Sequence, residues 1–148
     1  MPPSNRLAIH PGLPADIPAF IDIYWTGFKD ALSQTAFPRS SPEIRQWWIA
    51  NSTKELLSAT STKFLKVVET AESGEETIIA WAKWETPFTN QKGEVEVGGD
   101  KPDDMPTWPP GADKELCDEF FGALAVTRDK LLRSRPHYCS LPSSSLPA

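Results

Sequence analysis

The sequence has few of the features that mark secreted, metal-binding or membrane-spanning proteins. Its two cysteines, Cys117 and Cys139, form neither a CxxC pair nor a Cys/His cluster, which argues against a zinc site and indicates free thiols in a reducing compartment. The N-terminal segment lacks the apolar stretch of a secretory signal, and no apolar run approaches the length of a membrane span. We therefore expect a cytoplasmic protein with no membrane partner.

Clustered positive charge is also missing. The 15 lysines and arginines are outnumbered by 20 aspartates and glutamates, which gives a net charge of −5, and no basic block occurs. Because a sequence-independent grip on nucleic acid phosphates needs clustered Lys and Arg, we do not expect a nucleic acid partner. The acidic run from Asp100 to Asp104 is interrupted by Lys101 and Pro102 and lacks calcium-loop spacing, so it predicts a solvated loop and no metal site.

What the sequence does contain is a β-rich stretch from Lys63 to Trp84. The runs Phe64–Glu69 and Thr77–Trp84 flank a polar connector that contains Gly74, a pattern typical of a β-hairpin with a longer loop. Side chains alternate across a strand, and the second run is apolar at both sets of positions, so the pattern predicts cover on both faces. We place this hairpin at the centre of a sheet; a plain core hairpin without a functional role is the alternative.

Three helices are predicted around the hairpin. Asp16 precedes a helix whose apolar residues recur at three- and four-residue steps as far as Leu32. Pro42 lies at the first position of a second helix, and Asp113 caps a third. The expected buried side of the third helix consists of Leu116, Phe120, Ala123, Leu124 and Leu131.

The remaining segments complete a prediction of the fold class. Arg6–His10 predicts a short N-terminal strand, and residues 85–112 form a long insert rich in Pro, Gly and Asp. Residues 139–148 are Ser- and Pro-rich and predict a disordered tail. We therefore expect an α+β chain with one domain over residues 1–138: a strand, two helices, a central antiparallel hairpin, a long insert and a third helix.

This order of elements resembles the N-terminal half of the GNAT superfamily of acyl-CoA-dependent N-acetyltransferases. The local sequence is most similar to fungal members. The similar segments are LAIHPGLPADIPAFIDIYWTGF near the N-terminus, the Trp47-Trp48 pair, FLKVVET, IIAWAKWETP, and the helix that runs into residues 135–138. The resemblance covers residues 6–138. It implies a three-layer α/β body that is incomplete here.

The resemblance also implies acetyl transfer from acetyl-CoA to a small amine acceptor. Members of the superfamily hold the coenzyme diphosphate on a Gln/Arg-x-x-Gly-x-Gly/Ala loop at a helix N-terminus. No such segment occurs in these 148 residues, and Gly98-Gly99 is followed by Asp100, whose charge would repel phosphate. We therefore expect a truncated form that is inactive on its own and binds no acetyl-CoA productively.

By the same resemblance, the acceptor pocket is lined by the segment between the first two helices and by the ends of the central strands. The candidate substrate-binding residues are Trp25, Phe28, Phe37, Arg39 and Trp84. Glu85, at the end of a strand, is the candidate general base, since its carboxylate could draw a proton from an amine. Structural roles are the alternatives: core packing for Phe28 and Trp25, a solvated loop for Arg39, and contact with water for Glu85.

A second class of function is a non-catalytic interaction fragment. If later strands of the sheet are missing, an open sheet edge and uncovered apolar area remain, and both favour pairing with another protein or self-association.

Overall fold

The computed structural model describes residues 6–58, 61–96, 101, 103–132 and 135–141. The elements in chain order are β1 (Arg6–Pro11), a 3-10 turn (Pro14–Asp16), α1 (Ile17–Gly27), α2 (Ala31–Ala36), α3 (Pro42–Ser58), β2 (Thr62–Thr70), β3 (Glu76–Glu85), β4 (Phe88–Thr89), β5 (Val95–Glu96), α4 (Lys114–Leu132) and β6 (Cys139–Leu141). The α+β class is confirmed.

The strands form a four-stranded antiparallel sheet in the order β1-β2-β3-β6, and β4 pairs with β5 in a small separate ladder. The predicted hairpin is therefore the inner pair of the main sheet, as expected. Gly74 lies in the β2–β3 connection with a φ of 84°, a backbone conformation that glycine adopts without steric cost. The turn thus brings the two long strands into register from Thr62↔Glu85 to Thr70↔Glu76.

A bulge in β3 changes which side chains share a face. Val67 pairs with Ala80 but Val68 pairs with Ile78, so Ile79 is an extra residue in the ladder. Strict alternation predicts Ile78 on the face opposite Trp81, and this is wrong. Because the bulge reverses the alternation, Ile78 packs against the same core cluster as Trp81.

Helices α1 and α3 cover one face of the sheet. Phe20 of α1 stacks on Trp81 with ring centroids 5.1 Å apart, and Phe64 of β2 stacks on the same indole at 6.0 Å. The indole N–H of Trp81 donates to the carbonyl oxygen of Phe20 over 2.8 Å, which satisfies the buried donor. A second core cluster joins α2, α3 and α4, and its buried residues are Ala36, Phe37, Ile44 and Cys117.

The opposite face of the sheet is exposed in the part of the chain that the structure describes. Leu7 and Ile9 of β1 are 63% and 71% exposed, and Leu65 and Trp84 are 37% and 38% exposed. Among the described residues, the expected cover is thus present on one face only. An apolar strand pattern indicates a preference for burial, but it does not specify which segment supplies the cover.

The first predicted helix is two helices. The α1 helix ends at Gly27, and Asp30 begins α2 by accepting hydrogen bonds from the amide of Ser33 at 2.9 Å and from its hydroxyl at 2.7 Å. The apolar periodicity continues through this break, which hides the cap. Asp16 also differs from the expectation: its carboxylate accepts from the Leu13 amide and the Lys66 ammonium instead of capping α1.

The third predicted helix corresponds to α4, and Asp113 caps it by accepting from the Leu116 amide at 3.0 Å. Its buried side was only partly predicted. The structure buries Cys117 and Ala125, whereas Leu124 and Leu131 are 54% and 75% exposed. The helix is docked through the contact of Cys117 with α2, where its Sγ lies 3.8 Å from the carbonyl oxygen of Ala36.

Two further segments form strands where the sequence predicts a disordered tail and an irregular insert. Cys139–Leu141, predicted as the start of the tail, pairs as β6 with Lys83–Glu85, so the folded part extends past residue 138. The free edge of β3 offers backbone groups that can pair with any extended segment, whatever its composition. The rest of the predicted tail, residues 142–148, lies outside the described residues. Within the long insert, Phe88–Thr89 pairs with Val95–Glu96.

Candidate functional site

A cavity of about 430 Å³ lies between the helices and the covered face of the sheet, a size typical of small-molecule sites. All four helices, β3 and the proline-rich segment before α4 contribute to it. The lining residues are Ile21, Tyr24, Phe28, Asp30, Leu32, Ser33, Ala36, Phe37, Trp47, Trp48, Asn51, Ser52, Glu55, Trp81, Lys83, Pro106, Trp108, Phe120, Phe121 and Leu124.

Aromatic rings form most of the cavity wall and hold one another in place. Phe37 is central: its ring centroid lies 5.3 Å from Trp48, 5.9 Å from Trp108 and 6.3 Å from Phe121. Tyr24 joins the cluster at 5.5 Å from Trp48. Edge-to-face and tilted pairs at these separations are favourable, so the rings of the wall stabilise one another's positions.

The polar part of the cavity is built around Lys83. Its ammonium is 2.7 Å from a carboxylate oxygen of Glu55 on α3 and 3.5 Å from one of Glu85, and its side chain is only 10% exposed. Thr62 donates its hydroxyl to Glu85 at 2.9 Å. A buried cation needs such partners, because an uncompensated charge in the interior is strongly unfavourable.

The charges around the cavity sum to a negative value. Lys83 supplies one positive charge against the two negative charges of Glu55 and Glu85, and Asp30 adds a third carboxylate at the wall, near the positive charge of Arg39. The hydrogen bonds from the backbone and hydroxyl of Ser33 lower the pKa of Asp30, so it is ionised at neutral pH. The cavity therefore favours cations over anions.

Tyr24 contributes a hydroxyl that stays protonated. Burial raises the pKa of its phenol, and the nearby charge of Asp30 raises it further, whereas Arg39 acts in the opposite direction. The phenol is therefore protonated around neutral pH and can donate a hydrogen bond.

The structure separates the predicted site residues into groups. Phe28 and Phe37 line the cavity. Trp25 and Arg39 do not; the Arg39 guanidinium donates to the backbone carbonyl oxygen of Trp25, and the Trp25 ring packs against both core clusters. These contacts fasten the segment after α2 to the end of α1. Direct contact of either residue with a substrate stays a prediction.

Trp84 and Glu85 lie away from the predicted pocket. Trp84 is on the exposed face of the sheet, opposite the one that carries Trp81 and Lys83. Glu85 is 5% exposed and touches the site through Lys83, without lining the cavity. Its catalytic role remains an untested prediction.

Sequence reasoning missed the charged residues of the cavity. Trp48, Ser52 and Glu55 recur at four- and three-residue steps on α3, which places them on one face of the helix and is a signal that the sequence carries. Trp108 could not be assigned in the same way, because it lies in an irregular proline-rich segment. Its indole N–H donates to Asp118 of α4 over 2.7 Å, which holds the segment against the cavity.

Other kinds of site are not found among the described residues. No group of three His, Cys, Asp or Glu side chains in residues 6–141, leaving aside the undescribed positions, is placed to hold a metal ion. Within the same ranges no helix has both the length and the apolar character needed to cross a bilayer.

Comparisons with known proteins give one likeness. No family model and no curated protein matches the chain. Among solved structures, the chain is similar to one described as histone acetyltransferase HPA2 and related acetyltransferase from Corynebacterium glutamicum, with 17% identity, coverage of 86% of this chain and 71% of that chain, and a TM-score of 0.38. At this identity and TM-score the likeness carries no argument about fold or activity.

Proposed function

We propose that the chain is a GNAT-like N-acetyltransferase protein whose aromatic cavity is the site for a small amine acceptor. The observation that carries the proposal is an aromatic cavity with an excess of carboxylate charge, located between α1, α3 and the end of β3. The segment between α1 and α3 lines this cavity through Phe28, Asp30 and Phe37. This is the region in which the sequence resemblance places the acceptor.

The chemistry of the wall suits an amine. An ammonium group gains from the faces of aromatic rings and from carboxylates, and both gains grow where water is excluded. Glu55 is the carboxylate that reaches both the cavity and Lys83.

In acetyl transfer, the neutral amine nitrogen attacks the thioester carbonyl carbon, the carbon–sulfur bond breaks, and an amide and a thiol are formed. An acceptor that binds as an ammonium loses one proton before this attack and a second as the amide forms, and the leaving thiolate takes one up. In the proposed site Glu55 would accept the first of these protons from the bound ammonium, and Glu85 lies one side chain behind it, beyond Lys83.

We further propose that these 148 residues do not hold acetyl-CoA and are inactive with it. The support is the sequence itself, which contains no Gln/Arg-x-x-Gly-x-Gly/Ala segment. Without glycine-rich amides at a helix N-terminus, the coenzyme diphosphate lacks its usual backbone partners.

Calorimetry with an amine panel and with acetyl-CoA tests both parts. We expect at least one primary amine to bind, acetyl-CoA not to bind, and mass spectrometry to detect no acetylated amine. Replacing Phe37 by Ala, which opens the centre of the aromatic wall, is expected to weaken amine binding. If no amine binds, the acceptor assignment is wrong. Micromolar binding of acetyl-CoA, or turnover, would refute the proposed deficiency.

Self-association is a second candidate function, favoured by the exposed sheet face. Leu7 and Ile9 are among the most exposed large apolar residues described, and they lie on the edge strand β1. Unpaired edges and exposed apolar side chains both promote association between chains. Size-exclusion chromatography over a concentration series tests it, with Ile9→Lys as the variant expected to abolish association. A monomer at every concentration would contradict this candidate.

A further inference from the structure

We propose that the amine bound in the cavity is amphiphilic, with an ammonium group at one end and an apolar, preferably aromatic, body. This inference rests on the proposed function in that it takes the cavity as the acceptor site. It adds the chemical class of the acceptor, which separates this site from one for a polar polyamine or for a basic peptide side chain.

The rim of the cavity supports an apolar body. Leu32 of α2 and Phe120 and Leu124 of α4 line the cavity and are 39%, 40% and 54% exposed, so they form its apolar border with solvent. A ligand that extends outward from the cavity meets these side chains first. A second ammonium there would lose water without gaining an acceptor from them, which disfavours a long polycation.

The inner wall supports an aromatic group. Trp48 and Trp108 present partly exposed rings that both pack against the buried ring of Phe37, so a flat ligand can stack on rings that already have neighbours. A flexible polar chain would leave this surface unused.

Two carboxylates support the single ammonium. Asp30 is held by its hydrogen bonds to Ser33, and Glu55 is held by Lys83. Because Glu85 also lies beside Lys83, the cation of Lys83 is shared between two carboxylates and does not cancel the negative charge of the cavity.

The test compares three ligands by isothermal calorimetry in the absence of acetyl-CoA. Tryptamine carries the ammonium and an aromatic body, tryptophol replaces the ammonium by a hydroxyl, and spermidine is a polar polycation. We expect tryptamine to bind about tenfold more tightly than tryptophol, because the aromatic faces and the carboxylates both favour its ammonium. Spermidine is expected to bind more weakly than tryptamine.

Variants that remove one carboxylate each test whether Asp30 and Glu55 recognise the ammonium. Glu55→Gln leaves Lys83 paired with Glu85, and Asp30→Asn retains a residue that caps helices well, so both variants should fold. Each is expected to lower the preference for tryptamine over tryptophol about two- to threefold while tryptophol binding changes little. Glu119→Gln on the exposed side of α4 removes the same charge away from the cavity and is the matched control. Thermal melts of all variants check that they fold.

The outcomes separate this inference from the proposed function. If spermidine binds and tryptamine does not, the amphiphilic class is wrong but the amine site stands. If tryptophol binds as tightly as tryptamine, the carboxylates do not select an ammonium and the inference is overturned. If none of the three ligands binds, both this inference and the assignment of the cavity as the acceptor site are wrong. A charge preference that Glu119→Gln lowers as much as Glu55→Gln also contradicts the inference.

Discussion

The two faces of the main sheet carry similar apolar side chains but differ in how far those side chains are buried. On the covered face Trp81 is 9% exposed, stacked on Phe20 and Phe64, and hydrogen-bonded through its indole N–H. On the other face Trp84, three residues along the same strand, is 38% exposed. One face therefore carries the core and the cavity, and the other is an apolar surface without a described cover.

This difference shows that an apolar residue in a strand has no fixed role. Trp81 stabilises the fold because helix α1 places Phe20 over it, and the same helix bounds the cavity through Tyr24. The exposed face has strand residues of comparable apolarity but no helix within the described ranges. The cavity lies on the covered face because the helices supply most of its lining residues and the carboxylate of Glu55, which meets Lys83 of the sheet.

The largest expected loss of stability comes from replacing the two tryptophans, Trp81 and Trp84, one at a time. Trp81→Ala should lower the free energy of unfolding by about 3–5 kcal/mol, because it removes a large buried ring and the hydrogen bond of its indole to the Phe20 carbonyl oxygen. Trp84→Ala is the matched control on the exposed face and should cost about 1 kcal/mol or less. Denaturant unfolding of the two variants measures both values. Equal losses would show that the second face is also covered.

The second prediction compares the loss of unfolding free energy when the cation of a buried ion pair and that of a surface ion pair are removed. Lys83→Met should cost about 3 kcal/mol, because the buried carboxylate of Glu85 and the partly buried carboxylate of Glu55 are left without their cation. Arg45→Met breaks the pair with Asp22, whose side chain is 60% exposed, and should cost less than about 1 kcal/mol.

The difference between these two variants is read from chemical denaturation at low and at high salt. Salt should reduce the Arg45 effect and leave most of the Lys83 effect, since screening acts on exposed charges. If Lys83→Met is no more destabilising than Arg45→Met, the polar network does not behave as a buried one.

The smallest effect concerns Cys117 in the second core cluster. Burial raises the pKa of its thiol from 9.0 to about 11, with further contributions from Asp113 and Asp118. The unfolded chain ionises at the lower pKa, so the stability due to the neutral thiol is complete below pH 9 and is lost as the pH rises towards 11. The advantage of wild type over Cys117→Ala should shrink by about 2 kcal/mol between about pH 8 and about pH 11. A pH-independent difference between the two proteins would contradict a buried thiol.

Much of the fold could be predicted from sequence because it depends on local patterns. The hairpin follows from two β-rich runs around Gly74, and the start of α3 follows from Pro42. The break between α1 and α2 could not be predicted, since Asp30 caps a helix inside an uninterrupted apolar periodicity. The bulge at Ile79 was equally hidden, because it depends on pairing with β2 and not on residue type.

The candidate site was predicted less completely for the same reason. Phe28 and Phe37 were identified and line the cavity, whereas Trp84 was assigned to it and lies on the other face. Lys83 and Glu55 are 28 residues apart and meet only when α3 packs on the sheet. Such a long-range pair has no signature in a single sequence, and its charges decide what the cavity can bind.

The central claim is that the cavity on the covered face binds an amine. Its most direct test is a ¹H–¹⁵N NMR titration with tryptamine that follows the indole N–H signals, assigned through Trp→Phe variants. We predict that the signals of Trp48 and Trp108, which line the cavity, shift during the titration while that of Trp84 does not. A titration in which Trp84 alone responds, or in which no indole signal moves, would contradict the claim.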